Sequence, residues 1–371
     1  MARYIHNLPD WPKFTWDQEK IASLLTDVRH RQGRLLGKME SMGFNLQAEA
    51  NLHTLTLDVI KSSEIEGEIL NRDQVRSSIA QRLGMDVGGI LTPSDRHVEG
   101  VVEMMLDATQ RYNDPVTDER LFSWHAAMFP TGRSGMMKIV AGNYRDNTKE
   151  DPMQVVSGAI GREKIHFQAP DSALLQKEMN AFLKWFNNET KTDAVLKAAI
   201  AHLWFVTIHP FDDGNGRIAR AITDMQLARA DKNAQRFYSM SSQIRTERNA
   251  YYDILEETQK DSLDITLWLE WFLLCLDRAL NNTDETLSIV FKKAKFWDKH
   301  SASTLNDRQR TMLNKILDGF DGKLTSGKWA KITKASQDTA GRDIQDLIAK
   351  GILEKEVGGG RSTSYALAEI R

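Results

Sequence analysis

"HPFDDGNGRIAR", His209 to Arg220, follows directly on the apolar run "AVLKAAIAHLWFVTI". A helix that merely ended at the surface would need one glycine and a proline. These twelve positions hold a proline, two glycines, an asparagine, two aspartates, two arginines and a histidine. The residue before a proline is biased out of the helical region, so the apolar helix is expected to end near His209. "RIARAITDMQLARA" joins good helix formers to an apolar stripe, so a new helix is expected around Arg217. Gly214, Asn215 and Gly216 then form the turn before a helix N-terminus. Free N–H groups and the helix dipole make an anion site there, and glycines let phosphate oxygens reach the backbone. Arg217 and Arg220 project from one side of the helix and can hold further phosphates of a polyphosphate chain. Asp213 is a hard oxygen ligand suited to Mg2+ bridging those phosphates. His209 titrates near neutrality and can take a proton from an incoming hydroxyl. The loop reads as phosphate cradle, metal ligand and general base. Neither a GxxxxGK[ST] loop nor the kinase motif set is present.

The rest of the chain narrows the setting. Its 371 residues exceed one compact core, so two or three domains are expected. A hydrophobic content of 41% and a charged content of 27% are those of an ordinary globular protein. A net charge of -2 argues against a nucleic-acid coat or a membrane-surface protein. The single cysteine, Cys275, rules out an internal disulfide and fits a reducing compartment. "ITLWLEWFLLCLDRAL" carries Glu270 and Asp277 and is too short to span a bilayer. "MARYIHNLPDWPKF" lacks the apolar core of a signal peptide, so a cytoplasmic protein is expected.

Helical patterning dominates. "WDQEKIASLLTDVRHRQGRLLGKMESM" repeats apolar residues at three and four, and Leu52, Leu55, Val59 and Ile60 form a similar stripe. Further helices are expected at "DRHVEGVVEMMLDATQRY", "DERLFSWHAAMF", "SALLQKEMNAFLKWFNNE" and "AYYDILEETQK". "VVSGAIGREKIHF" breaks the pattern with β-branched residues around Gly158 and Gly161, and predicts a short hairpin. The polar, serine-rich "KHSASTLNDRQ" near residue 300 predicts a linker, placed at residues 286–304. Beyond it, residues 305–371 order as helix, helix, helix, hairpin, the order of a winged helix-turn-helix. That segment carries 12 Lys and Arg against 9 Asp and Glu, a mildly basic balance. Gln337, Thr339 and Arg342 are candidates to face a DNA groove, with Arg361 on the wing.

"HPFDDGNGRIAR" matches the Fic-domain signature HPFx(D/E)GNGRxxR at every defined position. Resemblance to this family implies a mainly α fold: a Fic-type helical core with a short β-hairpin flap, followed here by the winged-helix-like segment. It implies transfer of AMP from ATP to a protein hydroxyl, with His209 as base toward Ser, Thr or Tyr. Asp213 would hold Mg2+, Gly214 to Gly216 would receive the α- and β-phosphates, and Arg217 and Arg220 would grip the phosphate tail. "SSEIEGE" resembles the family's inhibitory (S/T)xxxE(G/N) motif through Ser62, Glu66 and Gly67. Ser62 and Glu66 lie one helical turn apart, and a carboxylate reaching Arg220 would displace the γ-phosphate and misplace the α-phosphate. By family position, Ile165 and His166 are the flap residues toward the nucleotide, with Tyr251, Tyr252 and Gln259 against the adenine.

The resulting division is an N-terminal helical region (1–50) and a Fic core (51–285). The core includes the inhibitory helix (about 51–70), the flap (about 155–168) and the catalytic loop (209–220). The linker and the C-terminal segment follow. Target proteins, self-modification and a homo-oligomer are all compatible with this reading; a membrane partner is not. Three other readings use the same residues: removal of AMP with Glu66 positioning water, a different donor such as another nucleotide or phosphocholine, and an ATP-sensing DNA-binding regulator.

Overall fold

The computed structural model describes residues 4–86, 90–158, 162–260, 262–320, 322–356 and 363–368, with backbone alone at 284–286. The chain divides into two compact units: Met1–Ile79 with Pro93–Thr283, and Ala80–Thr92 with Asp284–Arg371.

The first unit is almost wholly helical. Its elements are α1 (Gln18–Glu40), α2 (Phe44–Ile65), α3 (Arg72–Arg82, which crosses into the second unit), α4 (Arg96–Gln110) and α5 (Asp118–Met128). Two small antiparallel hairpins follow, β1 (Arg133–Ser134) with β2 (Met137–Lys138) and β3 (Gln154–Ser157) with β4 (Lys164–Gln168). Then come α6 (Leu175–Asn188), α7 (Ala194–Ile208), α8 (Asn215–Asp231), α9 (Met240–Thr246), α10 (Arg248–Thr258) and α11 (Thr266–Asn281). Local chemistry sets the starts: Asp17 caps α1 by accepting from the N–H groups of Glu19 and Lys20, and Asp95 does the same for α4.

α7 is the core. Every residue from Val195 to Ile208 is buried, as a predominantly apolar helix requires, and its most extensive packing is on α8. α2 is buried too, although it is rich in polar residues. Leu52, Leu55 and Val59 are fully inaccessible, and polar side chains of the same helix bond to the segment that leads into α9. Asn51 accepts from the Arg236 N–H at 2.8 Å, and Asp58 accepts from the Ser239 hydroxyl at 2.5 Å. This bonding fixes both the rotation of α2 and the position of its C-terminal end, where Ser62 and Glu66 lie.

The second unit comprises α12 (Thr283–Lys299), α13 (Asp307–Leu317), α14 (Ser326–Thr333), α15 (Gln337–Ala349) and a hairpin of β5 (Leu353–Lys355) and β6 (Tyr365–Leu367). Met312, Leu313, Trp329, Ile344 and Leu347 form its core with Phe296 from α12. The linker expected over 286–304 is therefore mostly helix. Leu287, Val290 and Phe296 are buried three and six residues apart, and this apolar burial outweighs the polar tail. The expected boundary at residue 50 likewise falls inside α2. Gln337 and Arg342 are exposed on α15, whereas the Thr339 hydroxyl is bonded to Ser336, the cap of that helix. Arg361 lies outside the described residues. Among those residues, no helix is long and apolar enough to cross a membrane.

Candidate active site

α7 ends at Ile208 and delivers His209 as its cap, with the N–H bonded to Phe205 O at 3.0 Å. His209 takes the left-handed conformation, φ 52°, which is uncommon outside glycine and asparagine and must be held by its surroundings. The buried Arg145 holds it. Arg145 Nε donates to His209 O at 2.7 Å and Nη2 to Pro170 O at 2.7 Å, while the Arg145 N–H donates to Pro210 O at 3.0 Å. The His209 ring places Nδ1 3.3 Å from Val206 O, which can only accept, so Nδ1 carries the proton and the Nε2 lone pair is free. Titration near neutrality, expected from the sequence, is corrected here: burial, reinforced by the Arg145 charge, holds the imidazole at about 4. At neutral pH the ring is already in its basic form.

The loop beyond it is stapled from within. Asn215 Oδ1 accepts from the Phe211 N–H at 3.0 Å, and its Nδ2 donates to Phe211 O at 2.8 Å. His125 braces the far side. Gly142 N–H donates to its Nδ1 at 2.9 Å, so Nε2–H donates to Asp213 O at 3.1 Å, and the ring stacks on Phe211 at 4.3 Å. Gly214 caps α8 at φ 81° and brings no side-chain acceptor, and a Cβ there would meet the Phe129 ring at 2.9 Å. α8 therefore starts two residues earlier than expected, with Asn215 and Gly216 in its first turn. The first N–H with an intrahelical acceptor is that of Ile218, on Gly214 O at 3.0 Å, so the preceding N–H groups face an incoming anion.

An anion of the protein's own is already there. The Glu66 carboxylate pairs with Arg220 Nη2 at 2.7 Å and comes so close to Gly216 that a Cβ on that residue would lie 2.1 Å from Glu66 Oε1. Arg220, buried, also donates from Nε to Ser62 Oγ and from Nη2 to Ser62 O, both at 2.8 Å. Gly67 leaves α2 at φ 84° and turns the chain so that Glu68 reaches the other arginine. Arg217 Nη1 donates to Glu68 Oε2 at 2.8 Å, and Glu68 Oε1 pairs with His97 Nε2 at 2.5 Å. The hydrogen bond that His97 donates to Glu68 raises the His97 pKa against the effect of burial; His97 and Arg217 lower that of Glu68, again against burial. Asp213 is half-exposed, accepting from Ser134 and from the Gly214 N–H and lying 3.7 Å from Arg217 Nη2.

A cavity of about 470 Å3 opens beside His209 and Gly216, walled by Tyr251, Tyr252, Leu255, Gln259 and, from the flap, Val155, Val156, Ser157, His166 and Phe167. Its volume and mixed walls suit a nucleoside. The Tyr251 hydroxyl is committed to His202 Nε2 at 2.8 Å, so this residue offers its ring alone; Gln259 donates to Thr207 Oγ1 at 3.1 Å. The Tyr252 hydroxyl faces Glu66 Oε2 at 3.3 Å. Ile165 is the exception among the expected flap residues. It is 46% exposed and not part of the wall. Glu66 borders this cavity and also a second one of about 720 Å3 that contains Asp213, Arg217, Glu68 and His97.

Arg145, His125 and Glu68 escaped the sequence reading. The first two sit in a loop and a helix with no periodic or motif signal, whereas the doubled acid of "EGE" was visible beside Glu66.

Residues 115–227 match the Fic/DOC family, and residues 4–85 match a domain of unknown function, DUF4172. The chain is 27% identical over 236 residues to the protein adenylyltransferase Fic of Aedes aegypti, and 34% identical over 229 residues to that of Drosophila yakuba. Each alignment covers 60% of this chain and 40% of the relative, so the chain spans about two fifths of the length of these relatives. A crystal structure of a Fic family protein from Desulfovibrio desulfuricans G20 shares the fold, with a TM-score of 0.53 at 20% identity, covering 96% of this chain and 98% of that one. The chain is a mainly helical protein that carries a Fic/DOC domain.

Proposed function

We propose that this Fic/DOC-domain chain is an autoinhibited protein adenylyltransferase, moving AMP from ATP to a Ser, Thr or Tyr hydroxyl of a protein. One observation carries the reading: a carboxylate seated on the first turn of α8 and on Arg220, beside a histidine with a free Nε2. That place binds an anion, and a base stands next to it. With ATP in the cavity, the acceptor hydroxyl gives its proton to His209 Nε2 and its oxygen attacks the α-phosphorus. The bond to the β-phosphate breaks and pyrophosphate leaves. The first-turn N–H groups of α8 and Arg217 offset the negative charge that develops.

The residues suit Mg2+ as well. Asp213 supplies one half-exposed carboxylate. That is the donor set for an ion held by one carboxylate and by substrate phosphates. When bound, such an ion neutralises phosphate charge.

The brake follows from occupancy. While Glu66 holds Arg220, a γ-phosphate has no partner there, and ATP binds without its α-phosphate in line with an acceptor. The test uses ATP labelled at the α-phosphate and the parent protein, the Glu66→Gly variant and a Glu66→Gly, His209→Ala double variant. Label on lysate proteins with the single variant, faint with the parent and absent with the double, is expected. No protein-bound label in any of them, with a cell lysate present as acceptor, would overturn the reading.

A further inference from the structure

We propose that Ser157 is a self-modification site: a flap serine, activated by His166 and Glu256, that accepts AMP from a nucleotide in the cavity beside it. The inference rests on the adenylyltransferase reading above and names an acceptor within this chain.

Three segments bring three side chains into a line. Ser157 ends β3, His166 lies on β4, and Glu256 projects from α10. His166 Nε2 is 2.5 Å from Ser157 Oγ, and His166 Nδ1 is bonded to Glu256 Oε2. A carboxylate can only accept, so Nδ1 carries the ring proton and Nε2 accepts from the serine hydroxyl. A nucleophile in contact with a base that a third group orients is the general arrangement of an activated hydroxyl. Glu256 is well kept as an anion: Lys260 Nζ lies at 2.5 Å and Lys164 Nζ at 3.8 Å. Burial opposes its ionisation, but the bonds from Lys260 and His166 prevail and hold the carboxyl at about 2.

Position points the same way. Ser157, His166 and Glu256 line the cavity that also contains His209 and Gly216. Of the other hydroxyls on its wall, that of Tyr251 is spent on His202, and that of Tyr252 faces Glu66 and the Ile65 carbonyl. Ser157 and Tyr251 are both bonded to an imidazole, but Ser157 is exposed whereas Tyr251 is 2% exposed. The hairpin does not need the relay as an anchor, since Phe167 at its base is already packed against Tyr4 and His6.

The step balances. The Ser157 hydroxyl proton passes to His166 Nε2, the Oγ–phosphorus bond forms at the α-phosphate, and the bond to the β-phosphate breaks. Pyrophosphate leaves, and the imidazolium returns its proton to solvent. The product is a seryl-AMP ester on the flap, which places a nucleotide over the cavity it came from.

The experiment incubates the Glu66→Gly protein with ATP and Mg2+, then maps adenylylated peptides by mass spectrometry, with lysate present in a parallel arm. AMP on Ser157 is expected; it is lost with Ser157→Ala and retained with Ser157→Thr. His166→Gln should slow Ser157 labelling about 100-fold or more and flatten its pH dependence, as removal of a general base does. Thermal melting and ATP binding of each variant establish that it is folded. AMP found on other residues while the Ser157 peptide stays unmodified overturns this site and leaves the adenylyltransferase reading standing. Absence of AMP from this chain and from every lysate protein overturns both. Unchanged Ser157 labelling in folded His166→Gln removes the relay.

Discussion

The Glu66 carboxylate and the Arg220 guanidinium meet at 2.7 Å across the first turn of α8, joining the end of α2 to the helix that follows the signature loop. Arg220 keeps its two bonds to Ser62 when Glu66 is removed, so the arginine stays ordered and ready for a phosphate. Glu66→Gly is expected to raise AMP transfer about 100-fold, the scale on which misplacement of reacting atoms acts, with a smaller change in ATP affinity. Glu66→Gln, which removes the charge but keeps a polar group, should fall between parent and glycine variant. Initial rates with labelled ATP, set beside calorimetric affinities, check both; equal rates in all three proteins would remove the brake.

Ser62 is the hinge of that arrangement. Replacing it by alanine leaves the buried Arg220 Nε without an acceptor, a loss of about 1–3 kcal/mol. Ser62→Ala should lower the free energy of unfolding by that amount in urea titrations. An unchanged midpoint would show that the bond contributes nothing net.

Glu68 sets a second ion pair on the other arginine. Glu68→Gln should free Arg217 and tighten ATP binding several-fold. The His97 pKa, raised by Glu68, should fall back toward its ordinary value in the same variant. The sign is fixed by that elevation: the stabilising His97–Glu68 pair is complete below the ordinary histidine value near 6.5 and is lost as pH rises through the elevated one. An NMR titration of His97 in both proteins reads the shift.

His125 and His202 are buried and neutral, with burial lowering them to about 4 and about 3. Between pH 6.5 and 4 the unfolded chain takes up protons at these two positions that the folded chain does not. Stability should therefore fall with falling pH, by up to about 1.4 kcal/mol per pH unit for each ring. Unfolding free energies measured by urea across this window test it, and His202→Gln should reduce the slope.

Arg145 acts on His209 through the backbone. Arg145→Lys keeps a charge but cannot reach His209 O and Pro170 O together in the planar geometry of a guanidinium. Transfer should drop at least tenfold while ATP affinity changes little, because the cradle on α8 does not depend on Arg145. A parallel loss of both would point to general unfolding instead.

Much of the molecule was legible in order of residues alone. The mostly apolar α7, the stripe on α2, the hairpin around Gly158 and the end of α7 at His209 follow from local rules: burial periodicity, β-branching, and the effect of Pro210 on its predecessor. So does the composition of the anion site, because glycines, arginines and an aspartate within twelve residues are held together by the chain itself. Those properties are short-range, and neighbouring residues along the chain are enough to specify them. Tertiary structure decided the rest. It placed Glu66 on Arg220 over 154 residues of sequence separation, assigned Tyr251 to His202, left Ile165 outside the cavity wall, and set the His209 tautomer by a carbonyl and its acidity by burial. Side-chain pairing across distant segments, and the solvent exclusion that shifts an imidazole by more than two pH units, depend on how helices pack, and no local pattern encodes that.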